Sequence, residues 1–130
     1  MARIYIVEDD WLILAGISSV VLEAGHDVCG AAMEAVAAIR RGLELRPDLA
    51  LVDGRLARGT SGLDVISALH AAGIPSVLIS AHASSDEAAA AGAVAFVQKP
   101  FHPQTLTSVI ERSLQQARQI GGPMTSHRPH

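Results

Sequence analysis

Apolar residues follow two rhythms along this chain. Short, nearly continuous apolar runs cover Arg3 to Val7, Asp27 to Gly30, Asp48 to Val52, Ser76 to Ser80 and Ala93 to Gln98, and each reads as a strand. Between them the period is helical: Ile13, Ile17, Val20, Val21 and Ala24; Val36, Ile39 and Leu43; Leu63, Ile66 and Leu69; Leu106, Val109, Ile110, Leu114 and Ala117. An alanine-rich stretch from Ser84 to Ala91 predicts one more helix, because Ser84 and Glu87 have capping-box spacing. Ala24-Gly25, Ala72-Gly73 and Ala91-Gly92 each stand where a helix closes, with glycine supplying the left-handed residue. Strands such as Ile4-Tyr5-Ile6-Val7 and Leu49-Ala50-Leu51-Val52 are apolar on both faces, as in a parallel sheet covered from both sides. Strand and helix alternating with right-handed crossovers then predict a doubly wound, three-layer α/β sandwich. The segment Ile120 to His130, with glycines, prolines and no period, reads as a disordered tail, leaving 1–119 as one domain.

A length of 130 residues suits a single domain. The chain is 49% hydrophobic with a mean hydropathy of +0.30, too apolar for a disordered segment. Its apolar stretches fall short of the ~18 to 20 residues needed to span a bilayer, so no membrane partner is expected. Glu8-Asp9-Asp10 come too early for a secretory signal, and a cytoplasmic location is expected. The lone Cys29 excludes an internal disulfide and reads as a small buried hydrophobe. A net charge of -3 argues against direct nucleic-acid binding.

In such a sheet every strand points its carboxyl end to one edge, where ligands of doubly wound folds bind. Here those ends carry Glu8-Asp9-Asp10, Asp53, Ser80 and Lys99-Pro100. Carboxylates gathered closely stay ionised only with a cation among them, and Mg²⁺, which combines a few carboxylates with phosphate oxygens, suits Glu8, Asp9 and Asp53. The competing reading of Glu8-Asp9-Asp10 is a helix start enriched in acids, and at Asp10 both stand. Lys99 is the sole lysine beside nine arginines; its ammonium either meets a phosphate oxygen as a point charge or merely solvates a strand end. Asp53-Gly54 could be a simple turn, but no alternating strand follows. A carboxylate beside a metal and a lysine is poised as a nucleophile for a phosphoryl group.

Glu8-Asp9, Asp53, Ser80-Ala81 and Lys99-Pro100-Phe101, in this order on five strands, resemble the response-regulator receiver domain of two-component signalling over about residues 2–118. The resemblance implies a flavodoxin-like (βα)5 fold with sheet order 2-1-3-4-5. It also implies Asp53 as phosphoacceptor, and Mg²⁺ held by Glu8, Asp9, Asp53 and the backbone carbonyl of Arg55. Ser80 and Phe96 fall at the switch positions, Lys99 at the phosphate-pairing lysine, and Lys99-Pro100 at a cis bond. The implied donor is a sensor histidine kinase or a histidine phosphotransfer protein. With no room for an output module, a stand-alone domain is expected to act on an unknown downstream protein target or as a phosphate shuttle or sink. A phosphorylation-linked homodimer through the fourth helix, fifth strand and fifth helix is open on the same grounds, beside a monomer.

The chain departs from the family between Arg55 and Gly62. Most receivers have proline four residues after the acceptor, where Ala57 stands, and Gly62 falls one residue late; the loop resembles a minority type. His82, and with it Arg55, occupies a place where the family tunes the lifetime of the aspartyl phosphate, unless His82 is a plain solvated residue. Trp11 is either a docking anchor for kinase helices or ordinary packing. His127 and His130 read as solvated tail residues. Rival readings are a phosphorylation-independent pseudo-receiver and a small phosphohydrolase; the latter lacks an Asp-x-Asp after a strand and a glycine-rich phosphate loop after the first.

Overall fold

The computed structural model describes residues 1–127, and the side chains of residues 1–119. In chain order the elements are β1 (Arg3–Val7), α1 (Trp11–Glu23), β2 (Asp27–Ala32), α2 (Ala35–Leu45), β3 (Leu49–Asp53), α3 (Gly62–Ala71), β4 (Ser76–Ser80), α4 (Ser85–Ala91), β5 (Ala95–Gln98) and α5 (Pro103–His127), with a short 3₁₀ turn at Ala57–Gly59. The strands form one parallel sheet in the order β2-β1-β3-β4-β5, the doubly wound architecture that the strand-helix alternation predicts. β2 runs two residues further than its apolar run, and β5 starts two residues later than expected. The expected tail, Ile120 to His130, falls on residues whose side chains are not described and, for the last three, outside the described residues altogether.

Two apolar layers explain why the strands are apolar on both faces. Ile4, Ile6, Leu49, Leu51, Val77 and Ile79 face α1 and α5, meeting Ile17, Val21, Leu106 and Ile110. Tyr5, Val7, Ala50, Val52 and Leu78 face the opposite way, onto Ala38, Val65, Ile66 and Leu69. Successive residues of a strand point to opposite faces, so every position of β1 from Ile4 onward is removed from water.

One helix face differs from the expected stripe. On α2 the sequence period points to Val36, Ile39 and Leu43, yet Val36 is 70% exposed and the buried positions are Ala35, Ala38 and Gly42. The cause is Tyr5, whose fully buried ring fills the space beneath α2 and whose hydroxyl donates to the Ala38 carbonyl at 2.9 Å. A Cβ at Gly42 would come within 3.2 Å of that ring, so only small residues allow the helix to sit this close. Burial pushes the Tyr5 phenol up to about 12, and it stays a donor.

Helix ends follow the expected chemistry with one exception. Gly25, Gly73 and Gly92 have φ of 89°, 78° and 100° after α1, α3 and α4. α2 instead ends on Arg46 at φ 46°, and Arg3 reaches across from β1 to donate to the carbonyls of Leu45 and Arg46 at 2.9 and 3.1 Å. These bonds satisfy carbonyls that the helix itself leaves unpaired.

His26, 7% exposed, ties three parts of the chain together. Its Nδ1 accepts the Ala2 amide at 2.9 Å, which leaves Nε2 to donate to Glu111 of α5 at 2.7 Å. His26→Ala strands the Ala2 amide and frees Glu111, and is expected to lower unfolding free energy by about 1–3 kcal/mol, measured by urea denaturation.

Candidate functional site

Parallel pairing brings the carboxyl ends of β1, β3, β4 and β5 to one edge, and the polar residues gather there. Glu8 follows β1 and is only 1% exposed, Asp53 ends β3 half-buried, and Lys99 follows β5, also half-buried. The Lys99 ammonium lies 3.2 Å from Glu8 Oε1 and 3.3 Å from Asp53 Oδ1, joining residues 91 positions apart in sequence. One carboxylate oxygen from each of Glu8, Asp9 and Asp53 lies within 4.8 Å of the other two. Burial pushes the Glu8 carboxyl up to about 7; the Asp53 charge adds to this, while the Asp10 amide and Lys99 oppose it. One ammonium does not neutralise three carboxylates, so the pocket is electrostatically short of positive charge. Its all-oxygen donor set suits a hard divalent cation.

Asp10 does not join this cluster. Its Oδ1 accepts the amides of Leu12 and Ile13 at 2.9 and 3.2 Å, and it is the N-cap of α1. Of the two readings of that residue, the capping one is what the fold uses.

Beside the acids runs a cleft of about 480 Å³, between the loop after β3 and the loop after β4. Gly54, Arg55, Ser80 and His82 line it. Ser80, 2% exposed, accepts the amides of His82 and Ala83 on its hydroxyl, each at 3.1 Å. Arg55 and His82 are exposed at the rim. Phe96, half-buried, pairs with Leu78 on the sheet face carrying Ser80, one pleat further from the edge. The Lys99-Pro100 peptide is cis. Trp11 is 72% exposed beside Leu12, also exposed, so packing against the loops does not hold it.

The loop from Gly54 to Gly62 is built firmly, which its composition did not reveal. Leu56 is buried, and its amide donates to Thr60 across the turn; Gly62 donates to Gly54. Arg58 and Gly59, at φ 61° and 70°, reverse the chain and absorb the extra length before Gly62. Gly62 has no room for a side chain, since a Cβ would collide with the Asp53 carbonyl. Thr60 is the residue that sequence reasoning missed: its hydroxyl accepts the Ala35 amide at 3.0 Å and donates to Ala57, fastening the loop to α2. No sequence signal marks a hydroxyl for a partner 25 residues away.

Ala57 explains the departure from proline. Its amide donates to the Met33 carbonyl at 2.9 Å, a bond that proline has no hydrogen to make.

Comparison with known proteins agrees with the geometry. Residues 4–111 match the response regulator receiver domain family, and the chain belongs to that family. It is 34% identical over 115 residues to the phyllosphere-induced regulator PhyR of Methylorubrum extorquens, covering 86% of this chain and 43% of PhyR. It is 30% identical over 122 residues to the transcriptional regulatory protein PdtaR of Mycobacterium tuberculosis, covering 91% and 59%. A CheY-like receiver domain structure from Methanospirillum hungatei superposes with a TM-score of 0.82 at 27% identity, covering 93% of this chain and 99% of that one. The chain spans about half the length of the curated relatives it matches. Among the described residues no helix is long and apolar enough to cross a membrane.

Ala57→Pro is expected to cost about 1 kcal/mol in urea unfolding, the net worth of one hydrogen bond, while Ala57→Ser stays within about 0.5 kcal/mol of the parent.

Proposed function

We propose that this receiver domain accepts a phosphoryl group on Asp53 from a phosphohistidine of a sensor kinase or histidine phosphotransfer protein. The observation that carries the reading is the Lys99 ammonium set between Glu8 and Asp53, with Asp9 within reach. Membership of the receiver family supports it.

In the transfer a carboxylate oxygen of Asp53 attacks phosphorus in line, the P–N bond to the imidazole breaks, and the leaving nitrogen keeps the electron pair and takes a proton. Lys99 is placed to meet the charge on the phosphoryl oxygens, having exchanged its contact with Asp53 for one with the new group. Glu8, Asp9, Asp53 and the Arg55 carbonyl would hold Mg²⁺, which supplies the remaining neutralisation. Asp10 caps the start of α1, where Trp11 is the first helical residue. Exposed Trp11 and Leu12, next to the acids, offer apolar contact to the helix bearing the donor histidine.

After transfer, the phosphoryl oxygens draw the Ser80 hydroxyl away from the amides of His82 and Ala83, and Phe96 turns into the space released. The surface of α4, β5 and α5 then changes its balance between two states. His82 and Arg55, at the rim of the cleft, set water access and so the lifetime of the phosphoryl group. The downstream target is a protein; PhyR of Bartonella quintana, 28% identical to this chain, is described as an anti-anti-sigma factor, which fits output through protein contact. We place the domain in the cytoplasm.

Intact mass after acetyl phosphate with Mg²⁺ is expected to rise by one phosphoryl group in the parent and not in Asp53→Asn. No gain in either protein would favour a phosphorylation-independent interaction module. A second expectation concerns pH. Glu8 is raised above its unfolded value, so in metal-free protein it removes stability as pH climbs from the ordinary glutamate range through about 7. A cation needs the ionised form, and the Mg²⁺-induced rise in thermal midpoint should be larger at about pH 8 than at about pH 6. Glu8→Gln should flatten that difference.

A further inference from the structure

The chain leaving β4 turns around one oxygen. Both the His82 and Ala83 amides end on Ser80 Oγ, at 3.1 Å each, and the helix that follows packs on the second apolar layer through alanines. α4 is Ser-Asp-Glu and four alanines, with Ala88 its buried residue. The position of that hydroxyl therefore decides how firmly the loop is held.

Gly54 lies directly against it. A Cβ at residue 54 would stand 2.8 Å from Ser80 Oγ and 3.1 Å from Ser80 Cβ, with Leu78 Cδ1 next at 3.7 Å. The backbone at 54 has no freedom to retreat: its amide donates to the Ile79 carbonyl at 3.2 Å, and its carbonyl accepts from Gly62 at 3.0 Å. Gly54 is not among the residues with positive φ, so alanine suits its backbone and the contact alone is at issue.

We propose that Gly54 is the positioning residue for Ser80. The missing side chain is the seat in which the hydroxyl rests while it holds the two loop amides, and a methyl group at 54 turns the hydroxyl off that seat. The seat stands on contacts within the resting protein; its signalling consequence rests on the phosphoacceptor reading above. On that reading, phosphorylation must break the loop bonds, and a side chain at 54 breaks them beforehand. Gly54→Ala then leaves the unphosphorylated protein closer to the switched state, without touching Asp53, Lys99 or the acids.

The test is amide hydrogen exchange at His82 and Ala83, followed by NMR in the ligand-free parent, Gly54→Ala, Ser80→Ala and the double variant. Both amides should exchange as fast in Gly54→Ala as in Ser80→Ala, and the double variant should match Ser80→Ala. Parent-like protection in Gly54→Ala would overturn the proposal. If Gly54→Ala fails to fold, combining it with Ser80→Gly, which removes both the Oγ and the Cβ that the new methyl meets, should restore folding; failure of both would show that Ser80 is not the partner. Beryllium fluoride with saturating Mg²⁺ reads the consequence. Its affinity should rise about fivefold in Gly54→Ala, the worth of about one net hydrogen bond, and not differ between Ser80→Ala and the double variant. Equal or weaker binding in Gly54→Ala would overturn the signalling consequence. If the parent itself binds no beryllium fluoride, the phosphoacceptor reading fails while the exchange result still decides the role of Gly54.

Discussion

Crowding of negative charge at one sheet edge is the constraint around which this domain is arranged. One carboxylate oxygen from each of Glu8, Asp9 and Asp53 lies within 4.8 Å of the other two, and Lys99 offsets only part of their repulsion. Such a cluster is costly in a fold that needed only stability, because Glu8 is buried and its ionised form is disfavoured. The rest of the sheet makes the arrangement tolerable. Both faces are apolar over most of their length, and burial on the two layers supplies the stability against which the polar edge is set. Polar groups of this kind gather where ligands of doubly wound folds bind, at the strand ends.

Around that edge the loops are of two mechanical types. The loop after β3 is fastened at several points, by Thr60 to α2, by Ala57 to Met33, and by Gly62 to Gly54. It keeps the Asp53 backbone and the Arg55 carbonyl in place. After β4 the chain is held differently: two amides on one serine hydroxyl, then a capped helix of small residues. The segment's apolar contacts are made by alanines, Ala83, Ala88 and Ala91, which bury little area each. The carboxyl edge is thus flanked by one loop fastened at several points and one that turns on a single hydroxyl.

The alternation of apolar runs and helical periods was enough to determine the fold class and the edge where chemistry collects. This is because short apolar runs and a period of 3.6 are local properties, and a parallel sheet has one carboxyl edge whatever its details. Glu8, Asp9, Asp53, Ser80 and Lys99 could be picked out for the same reason: each ends or follows a strand. Tertiary structure alone decided the rest. Which face of α2 is buried depended on Tyr5 beneath it, so Val36 points to solvent and Ala38 does not. Whether Asp10 served a cation or a helix depended on where its oxygen found amides. The worth of Ala57, Thr60 and Gly54 appeared only when Met33, Ala35 and Ser80 were brought against them, since a hydrogen bond or a steric limit between distant residues leaves no period in the sequence to be read.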